Sequence, residues 1–303
     1  MRAQTKSIAA ASLLCALVCA IAVGQVGRKP GSGGEVGKER GVFLNVVATR
    51  ADGSDERITS KEMALYDGGT EQSIQSFVPD PGPARIVILV DNSLGLRADV
   101  EKLQKATREF AYEIYEGDQV EVIGYDQNAE IISDWTDDAK KIEAALPEFR
   151  KRGEPHLFDA LSAVVSDALG PFAGANRKRV IVLVADGLDR GSRTHFDAVF
   201  NEILRGDITV YSLQIPDRTG GALRRDRLKP NQVIQKLTEG TGGRAIAVND
   251  SRDAAKAICD ELRKNRYVLA YTPTSLPLYE ARRLLIVPEE GITVRHKLTQ
   301  PGQ

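Results

Sequence analysis

The segment IVILVDNSLGLRADVEK, residues 86–102, closes an apolar run with Asp91, Asn92 and Ser93 and then passes into helical spacing. An acid and a hydroxyl two residues apart at the end of a buried strand suit three kinds of chemistry. Their oxygens can enter the coordination sphere of a hard divalent cation. The carboxylate can instead bond backbone amides or cap the helix that follows. The hydroxyl can act as a nucleophile if a base activates it. A second acid, Asp186, ends the apolar run VIVLVA and is followed by Gly187.

The nucleophilic reading has little support. His156, His195 and His296 are the only histidines, too few and too scattered for a histidine-rich metal site. His156 or His195 could complete a triad with Ser93, but no G-x-S-x-G elbow is present, and H-E-x-x-H and G-x-x-x-x-G-K are absent too. Phosphatases of the haloacid dehalogenase type need a second acid where Ser93 stands. Gly240-Thr241-Gly242-Gly243 follows a helical pattern and precedes a strand, which makes it a helix C-cap and turn rather than a phosphate cradle. An enzyme is therefore not expected, and a hydrolase using the same strand-end loops is the alternative. With 41 basic and 42 acidic residues, the charge gives no footprint for nucleic acid and no polybasic membrane patch.

The elements that must carry Asp91 and Asp186 are legible from hydrophobic period. RIVILVD, DQVEVIGY, KRVIVLVAD, DITVYSLQI and GRAIAV read as strands, and AEIIS as a hairpin partner after a tight turn. Helical spacing covers residues 100–114, 138–148, 157–169, 194–205, 230–240 and 251–265. Buried strands alternating with helices predict a doubly wound, mostly parallel, Rossmann-like α/β sheet over residues 84–265. Ligands of such sheets sit outside the carboxyl ends of the strands. Residues 41–80 alternate with period two and carry the turn signals Asp52-Gly53 and Asp67-Gly68-Gly69. That β unit is too small for its own core. Strands in 266–303 are expected to join it, giving a small β domain formed by both chain ends. The polar loop DRTGGALRRDRLK, residues 217–229, reads as solvated, or as a partner-binding loop through Arg224, Arg225 and Arg227.

Residues 1–24 have a charged start and an apolar run at 8–23, with small-x-small cleavage candidates at Ala20-Ile21-Ala22 and Ala22-Val23-Gly24. A secretory signal is expected, with an uncleaved anchor as the alternative. Export then places the protein in the periplasm, on the envelope or outside the cell, with contact to membrane only through this segment if it is retained. Leu14 and Val18 precede Cys15 and Cys19 where a lipobox needs a small residue. Residues 25–40 read as a Gly-rich, charged linker. Cys259, in a helical pattern, reads as a buried thiol.

VILVDNSLG, LFDAL and VIVLVADG, in that order, resemble the von Willebrand factor type A domain. The resemblance implies a metal-ion-dependent adhesion site that binds a protein partner. Asp91 and Ser93 match its first acid and hydroxyl, and Asp186 its last acid. Gly95 and Pro155 stand where the family has hydroxyl ligands, so the implied site is degenerate and any Mg²⁺ binding weak. Glu154, Asp159 and Asp189 are the candidate substitutes. The layout as a whole resembles the von Willebrand factor A-related proteins of Acidobacteria. The function expected from this resemblance is protein–protein recognition at or beyond the cell envelope.

Overall fold

The computed structural model describes residues 41–173, 178–220, 227–274 and 279–302. The signal or anchor expected at 1–24, the linker at 25–40, and Arg224 and Arg225 lie outside the described residues. No described helix is long and apolar enough to cross a membrane.

The central sheet comprises β5 (Ala84–Asp91), β6 (Gln119–Tyr125), β7 (Ala129–Thr136), β8 (Lys178–Ala185), β9 (Thr209–Gln214) and β10 (Ala245–Ala247), in the order β10-β9-β8-β5-β6-β7. All neighbours are parallel except β7, the hairpin partner of β6. Parallel strands need long crossovers, and those crossovers supply helices that cover both faces. Helices α1 (Val100–Glu113), α2 (Ala139–Ala145) and α6 (Ser251–Lys264) cover one face, through Leu103, Phe110, Ile142 and Ile258. Helices α3 (Leu157–Ala163), α4 (Phe196–Arg205) and α5 (Pro230–Gly240) cover the other, through Leu161, Val199 and Leu237. The run expected to be helical from 157 to 169 is α-helical only to Ala163 and winds as a π-helix over Val164–Ala168.

β5 and β8 are neighbours in the sheet, and the chain leaves them in opposite directions, from β5 through α1 to β6 and from β8 through α4 to β9. This is the switch point where loops splay apart and leave a crevice. Asp91 is the last residue of β5, and Asp186 directly follows β8.

The chain ends make two further four-stranded sheets. One has the order β13-β1-β11-β4, from β13 (Ile292–His296), β1 (Val42–Arg50), β11 (Arg266–Tyr271) and β4 (Ile74–Pro79). The other has the order β14-β12-β2-β3, from β14 (Thr299–Gln300), β12 (Arg282–Pro288), β2 (Met63–Asp67) and β3 (Thr70–Gln72). The four N-terminal strands thus divide between two sheets, each completed by C-terminal strands. Their inward residues, among them Leu44, Val46, Leu65, Tyr271 and Leu284, form one core. Within it Arg282 pairs with the fully buried Asp67, whose other donor is the Tyr271 hydroxyl. The β layer also grips the central domain: Asn45 and Lys297 both donate to the Asp207 carboxylate, in the turn leading into β9.

Candidate functional site

Three loops meet at the switch point. The loop after β5 holds Asp91 and Ser93. The loop before α3 lies against it through backbone bonds from Leu94 N–H to the Gly153 carbonyl (3.2 Å) and from Arg152 N–H to the Asn92 carbonyl (2.9 Å). Lys151 fixes both further by donating to the carbonyls of Leu96 and Ala98. The loop after β8 joins the second through Arg190 N–H, which donates to the Pro155 carbonyl at 2.7 Å. Gly187 is required here. Its φ is +85°, and a Cβ on it would lie 2.5 Å from the Pro230 carbonyl oxygen. Downstream, Asp99 caps α1 by accepting from Lys102 N–H at 2.8 Å. Asp99→Ala is expected to lower stability by about 1 kcal/mol, seen as a fall in Tm of roughly 2–4 °C, without disturbing the site.

The structure brings Asp91, Ser93 and Asp186 together, and what they surround is the guanidinium of Arg218. Nε donates to Asp186 Oδ2 at 2.5 Å, and Nη2 to Asp186 Oδ1 at 2.9 Å and to Asp91 Oδ2 at 2.6 Å. Nη1 donates to Ser93 Oγ at 3.1 Å. The Ser93 hydroxyl donates in turn to Asp91 Oδ1 at 2.6 Å. The remaining lone pairs take backbone amides: Ser93 N–H bonds Asp91 Oδ1, and Leu188 N–H bonds Asp186 Oδ1. Both aspartate side chains have no exposure, and Arg218 is 5% exposed. Bidentate guanidinium–carboxylate geometry of this kind is the strong form of a charge-assisted bond. Burial pushes the Asp91 carboxyl upward, and Arg218 offsets only part of that. Burial works against the Arg218 charge too, but Asp186 and Asp91 outweigh it and hold the guanidinium firmly protonated. Beside them, burial and the two carboxylates keep the Tyr125 phenol neutral, far above its ordinary range.

Arg218 comes from the start of the loop after β9, read above as solvated. Gly95 leaves room for it, since a Cβ there would lie 3.0 Å from Nη1. Reading the sequence missed Arg218. The available signal was an arginine shortly after a strand that neighbours the Asp186 strand, in a chain lacking a ligand at 95.

The other expected participants are engaged elsewhere. Asp159 accepts from the N–H groups of Arg193 and Thr194. Asp189 accepts from Phe158 N–H and the Ser192 hydroxyl. Pro155 contributes only its backbone. Glu154 stands beside Arg218 on the wall of an open cleft of about 460 Å³, together with Leu94, Arg97 and Arg190. A neighbouring cleft of about 590 Å³, walled by His195, Phe196, Arg227 and Lys236, lies between the loop after β8 and α5 and shares Leu188 with the first. No histidine is among the hydrogen-bond partners of Ser93.

Residues 86–188 match the von Willebrand factor type A domain family. The central sheet, flanked on both faces by helices, is of that domain's type. Among solved structures, the chain is similar to an aerotolerance-related membrane protein from Bacteroides fragilis, at 22% identity, over 60% of this chain and 99% of that one, with a TM-score of 0.46. It is also similar to BatB, a conserved hypothetical protein from Bacteroides thetaiotaomicron, at 18% identity, over 59% and 96% of the two chains, with a TM-score of 0.46. No curated protein matches the chain. The expected likeness to Acidobacteria proteins finds no support in these comparisons.

A von Willebrand factor A site of the adhesion type implies a divalent cation, and the residues present do not fit one. The two positions that the sequence resemblance sets against hydroxyl ligands hold Gly95 and Pro155, which carry no side-chain oxygen. Among the described residues no group of three or more His, Cys, Asp or Glu side chains is placed to hold a metal ion. The two carboxylates that would carry the metal already share a buried monovalent cation. Hard divalent ions need a full shell of oxygens. Here the guanidinium takes the oxygens that would form it.

Proposed function

We propose that this protein is an exported, non-enzymatic recognition module that binds a protein partner through the strand-end cleft, independently of divalent metal. The observation that carries this reading is the Arg218 guanidinium, held by Asp91, Ser93 and Asp186. A fixed internal cation keeps the three loops in a defined arrangement that a metal-dependent site would lose on chelation. Above it, Arg97 and Arg190 offer planar donors to carboxylates, and Leu94, 66% exposed, offers an apolar contact. The von Willebrand factor A-like fold suits such a role. The hydrolase reading is disfavoured because the Ser93 hydroxyl is committed to Asp91 and Arg218 and touches no base.

The test is capture from envelope extract by the natural protein and by an Arg97→Glu/Arg190→Glu variant, each with EDTA and with Mg²⁺. The expected result is a partner held equally in both media and lost with the variant. A partner released by EDTA would overturn metal independence. Turnover in esterase, phosphatase or peptidase assays that disappears in Asp91→Ala would overturn the non-enzymatic reading. Export predicts that the native protein starts near Val23 or Gln25 by mass spectrometry, and a cytosolic chain beginning at Met1 would contradict it.

A further inference from the structure

Glu121 lies in the middle of β6, in a strand otherwise built for burial. Val120 and Val122 point to one helical layer, while Ile123 and Tyr125 share the other with α3. Alternation places Glu121 on the α3 side. It is 3% exposed, and its Oε2 has no hydrogen-bond partner. A buried carboxyl oxygen without a partner is expensive. The side chain opens onto a cleft of about 220 Å³ between the outer edge of the sheet and the π-helical turn at Val164–Ala168.

The cleft has a distinct chemistry. Ile123, Trp135, Val164 and Ala168 form apolar walls, Glu121 is buried within them, and Asp167 stands among them as an exposed acid. No lysine or arginine lines it among the described residues. Arg85 lies over the Trp135 and Phe172 rings and donates to Gln119. The volume is below the roughly 300 Å³ at which pockets for drug-sized molecules begin, so it suits one side chain rather than a cofactor. Apolar walls around two acids match an aliphatic stem that ends in a cation. β7 is the edge strand of the sheet, and Ile131 on it is 62% exposed, so another chain can approach here.

We infer that this cleft is a second binding site, distinct from the Arg218 cluster, which receives a lysine or arginine side chain of a partner protein, the cationic head meeting Glu121 and the stem lying against Trp135 and Ile123. The site neither contacts nor requires the strand-end cleft, so its success or failure is independent of the function proposed above.

Trp135 is the only tryptophan in the chain, and its emission reports the site directly. The full chain is titrated at pH 8 with N-acetyl-lysine methylamide and N-acetyl-arginine methylamide, and with N-acetyl-norleucine methylamide as the uncharged control. The expected result is a saturable change in emission with the cations and none with norleucine. Glu121→Gln should bind about tenfold or more weakly, the effect of losing a charged hydrogen-bond partner. Ala168→Phe, which fills the cleft and leaves the carboxyl in place, should block binding while the fold persists. No saturable response, an equal response to norleucine, or unchanged affinity in Glu121→Gln would overturn the proposal. Tighter binding of free butylammonium than of either amino-acid derivative would overturn its assignment to a protein side chain.

Discussion

Arg218→Ala is expected to destabilise the protein by about 3–5 kcal/mol, the range found when one partner of a buried ion pair is removed. The large value follows from what remains. Asp91 and Asp186 have no exposed side-chain surface, and without the guanidinium two like charges face each other in a poorly solvated crevice. The loss should be greatest near neutral pH and shrink on acidification, as the Asp91 carboxyl, pushed up by burial, takes up a proton and the repulsion ends. The same variant should gain what the natural protein lacks. With the guanidinium gone, Asp91, Ser93 and Asp186 face an open position, and millimolar Mg²⁺ or Mn²⁺ should restore part of the lost stability. The natural protein should melt identically with Mg²⁺ and with EDTA. Arg218→Lys should fall between the two, because an ammonium keeps the charge but cannot chelate Asp186. Thermal melts of the three proteins with and without metal check this. An alanine variant that melts like the natural protein would show that the guanidinium is not what holds the loops.

Glu121→Gln is expected to raise stability at pH 8 by about 2 kcal/mol and to change it little near pH 4.5. Burial, with a smaller contribution from Asp134, pushes the Glu121 carboxyl up to about 7. In the unfolded chain it titrates near its ordinary value, 4.5. Between these values the folded state holds a proton that the unfolded state has released, so stability falls as pH rises through the window. Above about pH 7 the folded protein carries a buried carboxylate at full cost. A difference of that size corresponds to about 3 kcal/mol, reduced because the glutamine amide is itself buried without partners. Urea denaturation at pH 4.5, 6 and 8 reads the slope directly. Parallel pH curves for the two proteins would show that the carboxyl is solvated in the folded state.

The sequence carried local information well and long-range pairing poorly. Each central strand and helix announced itself by hydrophobic period, and the period also showed where the strands end, which located Asp91 and Asp186. The loss of oxygen ligands at Gly95 and Pro155 was equally visible. What replaced them was not, because Arg218 reaches Asp91 across most of the domain and nothing local distinguishes it from Arg224, Arg225 or Arg227. The split of β1–β4 between two sheets escaped for the same reason. Period two says that a strand has an inner face, but not which strand will lie beside it. Glu121 was visible as an acid inside a buried strand, and DQVEVIGY was read only for its apolar pattern. The end of α3 at Ala163 was hidden because the apolar positions continue without a break into the π-helical turn.

The interleaving of the two chain ends has a consequence in time. β1 pairs on both sides with strands from the far end of the chain, β11 and β13, and β2 pairs with β12. A ribosome adding roughly 5–20 residues per second needs about 10–40 s to pass from β1 to β11. Through that interval β1 and β4 are made but have no partner and β2 has only β3, so their apolar faces and open hydrogen-bonding edges are available to other nascent chains. The central domain, whose strands and helices follow one another closely, can close first. The β layer closes only once β11, β12 and β13 have been made, so a chain truncated before residue 266 is expected to be bound by holding chaperones or lost to aggregation.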